Sequence, residues 1–393
     1  MSELTYKSLC VLGRQPELGL AELESLYGAG SIRPLESAAV LDIEAETINF
    51  KRLGGTIKVA RVLAVLPYSN WPQAHKYLVD KVPEHLQYMP EGKFTLGISV
   101  HGLSIDVQRL NQDILKLKKV IKSSGRSIRI VPNKALELNS AQVLHNKLTH
   151  RGAWELLLVR DGEQIILAQT LFVQDIDDYA ARDQARPKRD ARVGMLPPKL
   201  AQIIINLCNP ATGSVVLDPF CGTGVILQEA MLMGHDAVGT DLETKMVEYS
   251  KQNIEWLIEK YGLKREVSIA QADATNHKWE AEFGVVASEA YLGRPLVKVP
   301  TQQELRDIIQ DVNTITKKFL NNLSVQLTVG QRICIALPAW KVGKNEFKHL
   351  PVIDHLTDMG YNYLDFKHVR GNSLLYYRED QVVARQLLAL QRI

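Results

Sequence analysis

The sequence predicts an α/β protein: a C-terminal domain on a mostly parallel sheet, preceded by an α+β portion. Three observations carry this. From residue 199 onward, short apolar runs alternate with stretches of helical spacing, the signature of βαβ units. An apolar run at Val215–Phe220 leads into Cys221-Gly222-Thr223-Gly224, a glycine turn that opens a helix. The first 170 residues lack that regular alternation and instead place an Asp161-Gly162 hairpin signal between two apolar runs.

In the N-terminal portion, residues 8–12, 39–43 and 58–66 read as strands or buried elements, and Glu17–Tyr27 has the apolar spacing of a helix. Phe94–Val100 is a strand, and Ile105–Ser123 a basic amphipathic helix stopped by Gly125. Ser127–Val131 is a strand, Ser140–Leu148 a helix, and Trp154–Val159 with Gln164–Ala168 the hairpin. Asn139 and Ser140 read as a helix cap. The polar stretch 175–193, with Arg182, Arg186, Lys188, Arg189 and Arg192, reads as a linker. Beyond it, strands fit 215–220, 237–241, 267–270, 284–288 and 332–337. Helices fit 199–207, 224–233, 243–261 and 303–323. At the end, 363–368, 373–377 and 382–387 suggest consecutive strands and an antiparallel edge hairpin.

The chain has 393 residues, 46% of them hydrophobic and 23% charged, which suits two or three globular domains and argues against disorder or coiled coil. Cys10, Cys208, Cys221 and Cys334 are too scattered for a zinc motif or a disulfide framework, so a reducing, cytoplasmic setting is expected. His101, His145, His277 and His368 have no metal-binding spacing, and no metal is expected. No apolar run reaches the ~18 residues of a membrane span, and the N-terminus lacks a signal-peptide pattern, so no membrane is expected. Net charge is only +3 overall, but residues 51–160 carry 18 Lys/Arg against 7 Asp/Glu. Lys116, Lys118, Lys119, Lys122, Arg126, Arg129, Lys134 and Lys147 lie in this block. A phosphate-binding footprint and a solvated helix face both fit it.

The glycine turn is the most informative segment. Asp218 closes its strand, and Gly222 and Gly224 allow close backbone approach to a ligand. The turn lacks the third glycine of a dinucleotide fingerprint and the Lys-Ser/Thr of a P-loop. The next strand ends in Asp241, placed to accept from ribose hydroxyls. The third is followed by Asp273, placed to accept from an adenine amine. Glycine turn, ribose acid and adenine acid in that order fit a nucleoside cofactor without phosphates, and S-adenosylmethionine has that chemistry.

Leu217–Ala230 (LDPFCGTGVILQEA), Gly239–Tyr249 (GTDLETKMVEY) and Gly194–Asn206 (GMLPPKLAQIIIN) resemble the THUMP-domain tRNA guanosine-N2 methyltransferases of the position-10 type. So do Tyr179–Asp190, Leu138–Lys147 and Leu375–Val383. The resemblance runs from about residue 94 to the C-terminus. It implies a Rossmann-like methyltransferase domain with a seven-stranded, mostly parallel sheet over 194–393. It also implies a ferredoxin-like domain at 1–90, a THUMP-like RNA-binding domain at 91–174 and the linker at 175–193. S-adenosylmethionine is the implied cofactor and tRNA the implied partner, contacted by the basic block. A small zinc-containing activator subunit, which some members need, is a further implied partner. Pro197, Leu242 and Ala274 stand in or beside these segments and are counted with Asp218, Cys221, Gly222, Gly224, Asp241 and Asp273 as cofactor-binding residues, Cys221 in a packing role.

One segment departs from the family. An exocyclic amine is a poor nucleophile, and enzymes that methylate it use Asp/Asn-Pro-Pro-Phe/Tyr after the fourth strand. Here the segment is Ser288-Glu289-Ala290-Tyr291-Leu292-Gly293. In one register Ser288 takes the acid position and Tyr291 the aromatic one. In the other, Glu289 takes the acid position and Gly293 matches the family's following glycine. The second is expected, because a carboxylate stabilises the developing cation better than a hydroxyl does. Loss of both prolines also leaves open a tRNA-binding protein, or a partner-dependent subunit, with a vestigial pocket. A DNA amino-methyltransferase is a third reading, which would not explain residues 94–170.

Overall fold

The computed structural model describes residues 6–190, 195–296, 300–343, 346–370, 373–379 and 381–393. These fall into two compact units. Between β1 (Ser8–Leu12) and β2 (Ile32–Pro34) runs α1 (Pro16–Tyr27). The first unit takes residues up to 16, 30–51 and 56–177, while 17–29 and 52–55 group with the second.

The first unit is built on one eight-stranded sheet. Its further strands are β3 (Ala38–Leu41), β4 (Thr56–Leu66), β5 (Phe94–His101), β6 (Ile128–Ile130), β7 (Ala153–Asp161) and β8 (Gln164–Val173). The order is β2-β3-β1-β4-β8-β7-β5-β6. Its helices are α2 (Trp71–Leu86), α3 (Val107–Ser123) and α4 (Ser140–His145). The Asp161-Gly162 hairpin forms as its residues dictate, with Asp161 opposite Gln164 and Gly162 at φ +58°. The expected boundary near residue 90 is not a break in this sheet, because β4 pairs with β8 from Lys58↔Val173 to Leu66↔Ile165. Leu78 of α2 and Leu110, Ile114 and Leu117 of α3 share a core with Phe94, Leu96 and Leu156. The sequence reading assigned nothing to 71–86, where Pro83 interrupts an apolar row of Ala74, Leu78 and Val82.

The second unit contains α5 (Ile176–Gln184), α6 (Pro198–Cys208), β9 (Val215–Asp218), α7 (Val225–Leu232), β10 (Asp236–Asp241), α8 (Thr244–Tyr261), β11 (Val267–Gln271) and β12 (Val285–Glu289). It continues with α9 (Gln302–Ser324), β13 (Arg332–Gly343), β14 (Glu346–Lys348), β15 (Tyr361–Tyr363), β16 (Leu375–Tyr376) and β17 (Val383–Arg392). The main strand path is β11-β10-β9-β12-β13-β17-β15. From β11 to β13 every pairing is parallel; β17 runs against both of its neighbours on this path. The order reverses at β9, which has β10 on one side and β12 on the other. That reversal is where open α/β sheets place their ligands.

The sheet has nine strands rather than seven, because β14 adds to β13 and β16 adds to β17. The expected antiparallel hairpin forms between β16 and β17, with Leu375 opposite Gln386 and Tyr376 opposite Arg385, while β15 ends at Tyr363, so 364–368 is not strand. Of the expected linker, 176–184 is helix, and 191–194 lie outside the described residues. Two of its arginines are buried. Arg182 and Arg186 are 6% and 3% exposed, and the Arg182 guanidinium pairs with the buried Glu229 of α7. Tyr179 donates to Gln202 at 2.6 Å, and Tyr261 to Asp178 at 2.7 Å. The buried pairing of Arg182 is one that composition cannot distinguish from solvation.

α1 belongs to this unit through Glu22. Its fully buried carboxylate accepts from the backbone of Gly54 (2.9 Å) and Gly55 (2.8 Å) and from Asn206 of α6 (2.8 Å). At Gly54 a Cβ would lie 2.0 Å from the Lys199 carbonyl oxygen, so only glycine fits this approach to α6. Among the described residues, no helix is long and apolar enough to cross a membrane, and no group of His, Cys, Asp and Glu has the arrangement of a metal site.

Candidate active site

The carboxyl ends of β9, β10, β11 and β12 bring most of the expected site residues together. Asp218, 2% exposed, closes β9. Its carboxylate accepts from Ser288 Oγ at 2.6 Å and from Phe220 N at 3.2 Å. Burial pushes this carboxyl up to about 7, against the Ser288 hydrogen bond, which lowers it. The turn that follows places Gly222 at φ +51° and Gly224 at φ +83°. A Cβ on Gly224 would lie 2.3 Å from Ser250 Oγ, so glycine lets α8 approach the turn. At Gly222 the nearest atom to a Cβ would be the Phe220 carbonyl oxygen at 4.0 Å, so this turn faces open space. Cys221 is buried, its thiol pushed well up by burial, and it packs beneath Gly239, where a Cβ would meet its Cβ at 3.1 Å.

Asp241 ties the turn to β10. Oδ2 accepts from Gly222 N and Oδ1 from Glu243 N, both at 2.9 Å. Burial raises its carboxyl above the ordinary range. The backbone N–H of Ala272 donates to the Asp241 carbonyl at 2.9 Å, which brings Asp273 alongside. Asp273 Oδ1 accepts from Thr275 N (2.9 Å) and Thr275 Oγ1 (2.7 Å), and these bonds hold it below the ordinary carboxylate range. Leu242 is 60% exposed, an apolar side chain beside the two acids. Ala274 is instead buried in the core, and Pro197 caps α6. No bond joins either to the three strand ends.

At the end of β12, Ser288 is fully buried and spends its hydroxyl proton on Asp218. Glu289 Oε1 accepts from Arg385 Nε of β17, with the Glu289 side chain 15% exposed. Burial raises the Glu289 carboxyl, and Arg385 opposes that shift. Ala290 N continues the ladder to the Ala336 carbonyl at 3.0 Å. Tyr291 is 43% exposed. Gly293 at φ +91° seats the loop on α9, where a Cβ would meet Ile308 at 3.0 Å. The structure thus sets an exposed ring two residues after a reachable carboxylate, and draws on one feature of each sequence register. Sequence reasoning missed Arg385, which lies 96 positions from its partner.

The basic residues lie in the first unit. Lys119, Lys122, Arg129, Lys134 and Lys147 are exposed, and Lys118 and Arg126 are half-buried. Lys116 pairs with Asp113 at 2.7 Å, Arg129 donates to Asn146 at 2.8 Å, and Arg126 donates to the Pro90 carbonyl.

Residues 186–342 match the family described as RMKL-like, methyltransferase domain. Residues 105–252 also match a family described as DNA methylase. The curated proteins similar to the chain include tRNA (guanine(10)-N2)-dimethyltransferases and a type II methyltransferase, M.MwoI of Methanothermobacter wolfeii, 28% identical over 86 residues, 22% of this chain and 12% of that protein. One, the tRNA (guanine(10)-N2)-dimethyltransferase of Methanothermobacter thermautotrophicus, is 30% identical over 188 residues, 47% of this chain and 51% of that protein. Its counterpart from Pyrococcus abyssi is 45% identical over 147 residues, 37% of this chain and 39% of that protein. The matched region therefore spans about half the length of these relatives or less. Among solved structures, TrmN from Thermus thermophilus shares the fold, with a TM-score of 0.54 at 16% identity over 99% of this chain and 100% of that one.

Proposed function

We propose that the chain is an S-adenosylmethionine-dependent tRNA methyltransferase acting on the exocyclic N2 amine of a guanosine, with position 10 the site suggested by its relatives' names. The observation that carries the reading is the reachable Glu289 carboxylate beside exposed Tyr291, one strand from the glycine turn. The residues at the strand ends fit the cofactor. Gly222 leaves open the space a Cβ would fill, and Asp241 and Asp273 present carboxylates on neighbouring strands. When bound, S-adenosylmethionine supplies an electrophilic methyl group. Asp241 accepts from the ribose hydroxyls and Asp273 from the adenine amine. Glu289 accepts an amine hydrogen of the target base and stabilises the cation that develops on nitrogen. Tyr291 stacks on the flipped base. Asp218 and Ser288 act one layer behind, holding the end of β9 to the end of β12. The exposed lysines of the first unit contact tRNA phosphates. The four cysteines are scattered along the chain and buried, which suits a reducing compartment such as the cytoplasm.

The test is transfer of a tritiated methyl group to a tRNA with guanosine at position 10, alone and with candidate activator subunits. Glu289→Gln is expected to cut turnover at least tenfold while sparing tRNA binding, and Ser288→Ala to be milder. Cofactor and tRNA binding without turnover under any of these conditions would make the binding-protein reading the better one.

A further inference from the structure

Arg385 stands on the same face of the sheet as Glu289. Glu289 is level with Ala336 of β13, and Arg385 is level with Pro338, two residues further along. Side chains two apart on a strand share a face. Arg385 therefore reaches back across β13 to Glu289, and spends only Nε on Oε1. Among the described residues the recorded bond of the pair is Nε to Oε1, and the side chains of Arg385 and Glu289 keep 7% and 15% exposure. The pair thus sets a second carboxylate oxygen beside the terminal guanidinium nitrogens, at the end of the strand that follows the glycine-turn strand in the sheet.

We propose that Glu289 and Arg385 together read the Watson–Crick edge of guanine. Glu289 accepts from the N1–H and N2–H side, and Arg385 donates to O6. Guanine carries an acceptor next to two donors on that edge, which matches a guanidinium next to a carboxylate. Arg385 is then a specificity residue that touches the base, as well as the group that orients Glu289. Tyr376, its cross-strand neighbour on β16, and Pro338 on β13 fix where its backbone sits. This rests on the methyltransferase reading above.

The test compares two transcripts, one with guanine and one with 6-thioguanine at the target position. 6-Thioguanine keeps the 2-amine and N1–H and replaces O6 by sulfur, a much weaker acceptor. The parent is expected to prefer guanine at least tenfold in kcat/KM. Arg385→Met is expected to collapse that preference to threefold or less, because the O6 contact is gone. Arg385→Lys keeps a cation beside Glu289, guards against a folding failure of the first variant, and is expected to lose part of the preference. Were Arg385 only a prop for Glu289, both bases would slow equally and the preference would survive in both variants, which overturns the proposal. A parent that methylates neither transcript overturns the methyltransferase reading itself, and this one with it.

Discussion

Removing the Asp241 carboxylate should weaken cofactor binding by an amount that the geometry sets. Its two oxygens already accept from Gly222 N and Glu243 N at 2.9 Å, so the carboxylate is oriented before any ligand arrives. A hydrogen bond to a charged acceptor contributes about 1.5–3 kcal/mol. At about 1.4 kcal/mol per tenfold, the ribose contact alone predicts a loss of about 10- to 150-fold in Asp241→Ala. The alanine also frees the glycine turn, because the Gly222 N–H loses its acceptor, so the loss should sit in the upper half of that range. Asp241→Asn keeps one acceptor oxygen and should lose less than the alanine variant. Because burial raises this carboxyl, binding by the parent should begin to weaken on acidification at a pH above the ordinary carboxylate range. Calorimetric titration with S-adenosylmethionine measures all three. A dissociation constant for Asp241→Ala within threefold of the parent would refute the placement of Asp241 in the site.

Three further outcomes follow from other parts of the molecule. Gly224→Ala should lose cofactor affinity and cost about 1–3 kcal/mol of stability in urea unfolding, since φ is +83° and the new Cβ would sit 2.3 Å from Ser250 Oγ. Adding Ser250→Ala should restore part of that. Burial raises the Glu22 carboxyl to about 7, so its folded value lies above its unfolded one near 4.3. The linked stability is present at low pH and is lost as pH rises from about 4.5 to about 7, by about 3 kcal/mol. Glu22→Gln should remove that component of the pH dependence, read by denaturation at pH 4.5 and 7.5. Reversing exposed Lys119 and Lys122 to Glu should weaken tRNA binding for all tRNAs alike and flatten its salt dependence by about one unit of slope per lost contact, measured by filter binding across salt concentrations.

The parts of this protein that were legible in sequence are those whose cause is local. The glycine turn, the Asp161-Gly162 hairpin and the helices 244–261 and 302–324 follow from spacing and turn chemistry within a few residues. What was not legible depends on partners far along the chain. The stretch around Arg182 reads as a linker because nothing nearby in sequence shows that Glu229 is buried beside it. Glu289 was read without Arg385 for the same reason. The pairing of β16 with β17 is local, but the place of β17 between β13 and β15 is set by packing and has no local signal. For Ser288 and Glu289, alignment alone offered two exclusive registers. The folded chain gives each side chain its own neighbour instead, Asp218 for one and Arg385 for the other.

The placement of α1 has a consequence for how the protein is made. Glu22 leaves the ribosome early, yet Asn206, one of its partners, is 184 positions later in the chain. Until then the Glu22 carboxylate has no Asn206 to bond and stays hydrated. The loop that closes when the two meet is long, so that step is slow relative to local helix formation. The second unit thus completes only when a segment from the start of the chain joins residues 178–393. A fragment starting after the polar stretch at 175–193 would lack α1, and Asn206 would lose its acceptor.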